Sequence, residues 1–242
     1  MYYLLGVDDT DSPTDGDASS TRPDTASMAL TIGKKLESMT LARLLNISCH
    51  PLFLHPSIPH TTSNIASCLL LDTDAQKIRE IDMTTRLMLR GQCSPTANPG
   101  YALAAWNQIE PEIVSWGKTA KIAPVQRMDA IQLAKRCGIY TAGISGSGAG
   151  VIGALSAVGL RYDGNDGFIY WMPGLEKLRG ICTQTEIDQY IHFESIESEH
   201  HKRPALDDRI LFSESVKPIL KEGRIVITVS PAKRGKEYEW ES

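Results

Sequence analysis

Five aspartates, Asp8, Asp9, Asp11, Asp15 and Asp17, stand within ten residues, directly after the apolar run Tyr2, Tyr3, Leu4, Leu5, Gly6, Val7. The run reads as a buried strand. The charges behind it cannot follow it into the core, so the strand must end where carboxylates meet water or a cation. Like charges this close repel one another and call for compensation. Magnesium fits, because it takes one or two carboxylates and completes its shell with water and phosphate oxygens. Loops at the carboxyl ends of strands are also where α/β proteins gather ligands. The competing reading is a solvated acidic turn. A calcium loop is disfavoured, because the D-x-D-x-D-G spacing with a glutamate at the twelfth position is not met.

The remaining chain alternates strand-like and helix-like segments in irregular order. Residues 8–24 read as loop, and a helix follows to about Glu37 with Asp24 or Thr25 as its N-cap. Strands are expected over 46–54, 65–72, 138–144, 168–172 and 223–230, and helices over 74–88, 101–116, 128–137 and 151–159. Residues 192–208 are charged and loop-like. This order predicts an α+β or mixed α/β fold, two intertwined lobes with short sheets flanked by helices. The expected division is an acidic-motif domain over 1–125 and a glycine-rich α/β domain over 126–242.

The 242 residues are 42% hydrophobic, enough for one large core or two small ones. A net charge of −4 argues against a general nucleic-acid binder, which would be basic. The short apolar start runs straight into Asp8 and Asp9, unlike a secretory signal. The longest later apolar run, residues 66–71, is too short for a membrane span. A cytoplasmic location without membrane association is expected. Cys49, Cys68, Cys93, Cys137 and Cys182 form no C-x-x-C pair, which argues against a disulfide framework and a zinc ribbon.

A second conspicuous stretch, Gly143, Gly146, Gly148 and Gly150 with Ser145 and Ser147, stands between a strand and a helix. Gly146, Ser147, Gly148 and Gly150 are candidate phosphate ligands, since glycines let backbone N–H groups approach an anion at a helix N-terminus. Gly148, Gly150 and Gly153 spell G-x-G-x-x-G, but the acid wanted after the next strand is replaced by Pro173 and Gly174. A dinucleotide-dependent enzyme is therefore a weak alternative. Gly153 and Gly159 are equally readable as close packing points for a helix. Gly117, Lys118, Thr119 fails as a P-loop, because Glu112 stands where its first glycine belongs. The G-x-S-x-G elbow is broken around Ser145 and Ser147. His192, Glu194, Glu197, Glu199, His200 and His201 lack metal-site spacing and read as a solvated loop.

Gly6, Val7, Asp8, Asp9, Thr10, Asp11, Ser12 resembles the G-[IV]-D-D-T-D-S signature of the archaeal isoleucine tRNA 2-agmatinylcytidine synthetase family. Pro56, Ile58, Pro59 and Thr62 resemble that family's P-x-I-P-x-K-T loop. Asn98, Pro99, Gly100 resembles its x-P-G turn, and residues 150–159 are similar to its G-L-I-G-A-L-A-A-I-G helix. The resemblance implies a kinase-like core that uses ATP and magnesium. Asp8, Asp9 and Asp11 would then be catalytic and metal-binding, Thr10 and Ser12 nucleotide-binding, and Thr25 the threonine that takes a phosphoryl group. Arg22 or Lys34 could supply a cation. The chain departs from the family's G-M-C-T-T at Arg22, Pro23, Asp24, Thr25, Ala26, and Thr61 and Ser63 replace basic residues of the P-x-I-P loop. The family's oligonucleotide-binding module and zinc ribbon have no counterpart before Ser242. The expected partners are therefore ATP and a small-molecule or nucleoside-like acceptor, with tRNA only alongside a partner and homo-oligomerisation left open. A non-catalytic nucleotide-binding regulatory module is the other alternative.

Overall fold

The computed structural model describes residues 1–11, 24–55, 64–198, 203–212, 216–233 and 236–242. Expectations resting on Ser12, Asp15, Asp17, Arg22, Pro23, residues 56–63, Glu199, His200 and His201 lie outside the described residues. The fold is mixed α/β and divides into two compact units, Met1–Asp163 and Gly164–Ser242.

The first unit is built on strands β1 (Tyr2–Asp8), β2 (Arg43–Pro51), β3 (Ile65–Asp72), β4 (Gly100–Ala105) and β5 (Tyr140–Gly143). Their order is β5-β4-β1-β3-β2, and every pairing is antiparallel. The helices are α1 (Thr25–Ser38), α2 (Ile78–Gln92), α3 (Pro111–Ala120), α4 (Arg127–Arg136) and α5 (Val151–Asp163). Strand alternation sorts the central sheet into two unlike faces. Leu5, Val7, Leu69, Leu71, Tyr101 and Leu103 are large and buried on the α1 side, where a Cβ on Gly33 would meet Leu44 and Leu69. Tyr101 also reaches α2, its hydroxyl donating to Asp82. The other face carries Gly6, Ala66, Cys68, Gly100, Ala102 and Ala104, and α5 lies on it with α3 and α4 behind.

Small residues make that face a seat. A Cβ on Gly6 would stand 2.0 Å from the carbonyl oxygen of Ala154. From the far side, a Cβ on Gly159 would stand 2.2 Å from the carbonyl oxygen of Ile113. α5 is therefore wedged between sheet and helix, which explains its nearly continuous apolar sequence. Residues 101–116 do not form the expected helix. They divide into β4, a short 3-10 turn over Trp106–Gln108, and α3. Tyr101, Ala102, Leu103, Ala104 has helical propensity, but β4 is paired on both sides, and its alanines are short enough to admit α5.

The units divide after Asp163 and not near residue 125, because α4, β5 and α5 belong to the first sheet and its cover. The second unit contains β6 (Phe168–Trp171), β7 (Gly180–Thr183), α6 (Gln184–Tyr190), β8 (Ser195–Ser198), β9 (Arg209–Phe212), β10 (Ile219–Lys221), β11 (Arg224–Pro231) and β12 (Trp240–Glu241). Ile169, Ile187, Ile196, Ile210, Phe212 and Ile227 form its core. Within 192–208, expected to be loop, residues Ser195–Ser198 pair in parallel with β11. Glu197 there forms an ion pair with Lys221 at 2.6 Å, and His192 lies 3.7 Å from Glu194. No helix among the described residues is long and apolar enough to cross a membrane.

Candidate functional site

β1 delivers the acidic loop to one end of the antiparallel sheet. Alternation turns Leu4, Gly6 and Asp8 toward α5, so the last strand residue aims its carboxyl at the first turn of that helix. A Cβ on Gly153 would stand 1.9 Å from Asp8 Oδ2, and one on Gly150 would stand 2.5 Å from the Asp8 carbonyl oxygen. These glycines clear the space the aspartate occupies. Burial, then the charge of Asp9, pushes the Asp8 carboxyl up to about 8, although the Asp9 N–H donates to it and opposes the shift. Asp8 is thus held at a helix N-terminus among like charges.

Asp9 follows in the left-handed region, with φ 56. That conformation is costly for a residue with a Cβ and is held in place by its surroundings. Burial raises its carboxyl as well, against hydrogen bonds from the backbone N–H and side-chain amide of Asn98. The same Asn98 accepts, at Oδ1, the Ser147 N–H at 2.8 Å and the Ser147 hydroxyl at 3.0 Å. Its carbonyl oxygen accepts the Gly150 N–H at 3.0 Å. Asn98 therefore ties the acidic loop to the glycine-rich loop. In the sequence it is visible only as the first residue of a Pro-Gly turn.

Thr10, 1% exposed, donates its hydroxyl to Thr25 Oγ1 at 3.2 Å. Thr25, 6% exposed, donates to Asp11 Oδ1 at 3.4 Å. Thr25 is the first residue of α1, whose cap is Asp24, accepting the Ser27 N–H at 2.7 Å. The start of α1 and the acidic loop are thereby joined. The loop also anchors the end of α2, since the Ser94 N–H donates to the Thr10 carbonyl oxygen at 3.2 Å. Cys93 senses this neighbourhood: burial, then the charges of Asp9 and Asp11, pushes its thiol up to about 12.

The glycine-rich loop differs from the expected phosphate cradle. The N–H groups of Ser147 and Gly150 go to Asn98, and that of Gly148 goes to the Ser145 carbonyl oxygen at 3.0 Å. Three donors are turned inward. Gly146 and Gly148 have positive φ, and a Cβ on Gly146 would stand 2.4 Å from Asn98 Oδ1. Gly153 seats α5 against Asp8. The dinucleotide reading fails on topology, because β5, the strand ahead of these glycines, pairs antiparallel with β4 and the first unit has no parallel pairing among the described residues. Gly117 lies within α3, Lys118 pairs with Asp163 at 2.8 Å and Lys121 bonds the Pro51 carbonyl oxygen at 2.9 Å, so this stretch is no phosphate loop.

Asp8, Asp9, Thr10, Asp11, Thr25 and the glycine-rich loop are thus linked at one end of the sheet. Among the described residues no three His, Cys, Asp or Glu side chains group to hold a metal ion. The donor set still suits magnesium, which needs only one or two carboxylates beside water and phosphate oxygens. Lys34 pairs with Glu37 at 2.9 Å. A cation missed in the sequence is Arg127, at the start of α4. A Cβ on Gly148 would stand 3.7 Å from its Nη1.

No protein-family model matches the chain, and no curated protein matches it. Among solved structures it is similar to TiaS, a tRNA agmatidine synthetase. Against TiaS in complex with its tRNA and ATP the identity is 22% and the TM-score 0.54, over 66% of this chain and 36% of that one. Against apo TiaS the values are 22% and 0.52, over 66% and 35%. A tRNA fluorescent labeling enzyme matches at 22% and 0.53, over 66% and 36%. The matched region is about a third of those chains, and what is shared at this identity is the fold.

Proposed function

We propose that this chain carries an ATP- and magnesium-dependent phosphoryl-transfer or ligase-type core. The observation that carries the reading is that Asp8, Asp9 and Asp11 follow one another at the end of β1, with the Thr25 hydroxyl directed at Asp11. The likeness in fold to a synthetase solved with ATP supports it.

In this reading one or two of the three aspartates would hold magnesium together with water and nucleotide phosphates. Magnesium so bound would neutralise charge on the phosphates. Asp9, held by Asn98, is the proposed principal ligand, and Thr10 and Ser12 are the proposed nucleotide-binding residues. The Gly146–Ser147–Gly148 corner forms a wall beside Arg127, which offers the positive charge that phosphoryl transfer requires. Thr25 is the proposed phosphoryl acceptor. As its Oγ1 bonds to the γ-phosphorus, the bond to the leaving ADP oxygen breaks and the hydroxyl proton passes to Asp11. Because Thr25 is buried, its contact with Thr10 must open first. The final acceptor is proposed as a small amine-bearing or nucleoside-like molecule, or an RNA presented by a partner.

That same burial favours a second reading, a nucleotide-binding regulatory module without turnover. ATP consumption with magnesium, compared between wild type and Asp9→Asn and combined with mass spectrometry of Thr25, separates the two. Turnover lost in the variant, or phosphate on Thr25, supports the enzyme. Calorimetric binding of ATP without turnover supports the module. Neither binding nor turnover removes both.

A further inference from the structure

We propose that Asn98 is a positioning residue, setting the Asp9 carboxylate and the Ser147 corner in one fixed relation so that Asp9 can receive a magnesium–nucleotide complex. The inference rests on the function proposed above and adds a residue that the motif comparison leaves as an unspecified position before Pro99.

Every polar group of Asn98 is engaged in this bridge. Oδ1 takes two hydrogen bonds from Ser147, at 2.8 Å and 3.0 Å. The carbonyl oxygen takes the Gly150 N–H at 3.0 Å. The side-chain amide and the backbone N–H both point to Asp9. An ionised carboxylate offers about four acceptor sites. The two contacts from Asn98 orient the carboxylate and leave acceptor sites for a metal. The chemistry selects asparagine. An aspartate side chain could accept from Ser147 but could not donate to Asp9, and an alanine side chain could do neither, leaving only the backbone N–H to Asp9. The two loops are also shaped around this side chain. Asp9 has φ 56, and Gly146, with φ 55, would bring a Cβ within 2.4 Å of Oδ1. Groups that orient a metal's carboxylate ligand matter nearly as much as the ligand, and their loss costs about 10- to 100-fold in metal affinity.

The experiment is calorimetric titration of magnesium at fixed ATP, and of ATP without magnesium, on the full chain. Wild type, Asn98→Ala and Ser147→Ala are compared, with thermal midpoints taken alongside. For Asn98→Ala the magnesium concentration at half-saturation should rise about 10- to 100-fold, while metal-free ATP affinity stays close to wild type. Ser147→Ala keeps its backbone N–H and loses one hydrogen bond, so its rise should be about two- to fivefold. It carries the test if Asn98→Ala does not fold. A merely structural bridge would lower the thermal midpoint and leave the magnesium requirement unmoved, which overturns the role of Asn98 alone. Absence of magnesium-dependent ATP binding in the wild type overturns the site reading, and this role with it.

Discussion

Replacing Gly6 by alanine tests the seating of α5, on which the geometry around Asp8 depends. A Cβ at Gly6 would stand 2.0 Å from the Ala154 carbonyl oxygen and 3.1 Å from Val158 Cγ2. Ordinary contact begins at 3.4 Å, so strand and helix must part by about 1.4 Å there. Neither side yields easily. β1 is hydrogen-bonded along both edges, to β3 and β4. α5 is backed by α3, with Gly159 already against the Ile113 carbonyl. Overpacking a filled core costs about 1–3 kcal/mol. Because the obstacle here is backbone, the upper figure applies, about 3 kcal/mol. For a domain of this size that lowers the thermal midpoint by roughly 6–12 °C. Gly91→Ala is the matched control. Gly91 lies near the end of α2, and a Cβ there meets nothing within 4 Å. The same methyl should leave that midpoint unchanged or raise it, worth up to about 1 kcal/mol. Circular-dichroism melts with urea titrations measure both. A Gly6→Ala protein melting within about 2 °C of wild type would refute the claim that glycine is needed for this approach.

Two further outcomes follow from the acidic loop. The Asp8 carboxyl stands at about 8 in the folded chain against an ordinary 3.8, through burial and then the charge of Asp9. An acid raised on folding holds its proton more tightly in the folded state, so its contribution to stability is full below about pH 4 and is lost as pH rises through about 8. Without divalent cations, thermal midpoints should fall across that window in wild type and less steeply in Asp8→Asn; parallel profiles would count against this environment for Asp8. Asp11→Asn removes one of the two charges that, after burial, hold the Cys93 thiol up. It should speed alkylation of Cys93 relative to Cys137 at about pH 8, where thiolate is the reactive form. Peptide mass spectrometry reads the ratio, and an unchanged ratio would place Asp11 away from that thiol.

Much of the fold was written locally. Residues 65–72 are apolar at every position but Ser67 and Asp72, as a strand covered on both faces requires, and they form β3. Asp24 ahead of Thr25 and an apolar stripe from Met28 to Leu36 specify α1, and its cap bond is present. The abrupt change from Val7 to Asp8 and Asp9 marks the end of β1 and the place where charge must gather. Such features depend on residues a few positions apart, and one chain displays them directly.

Other features depend on contacts between distant residues. Residues 101–104 have helical propensity and become a central strand, because pairing on both edges and the pressure of α5 on Ala102 and Ala104 outweigh propensity. The glycine-rich loop has the composition of a phosphate cradle, yet Asn98, some 50 positions away, takes two of its N–H groups and turns them inward. The sequence by itself determined that carboxylates would crowd the end of the first strand, since apolar residues and charges cannot share a core. Only the tertiary structure decided which groups face them, because the partners of Asp8 and Asp9, namely Gly153 and Asn98, come from segments about 90 to 145 residues away that nothing local could bring together.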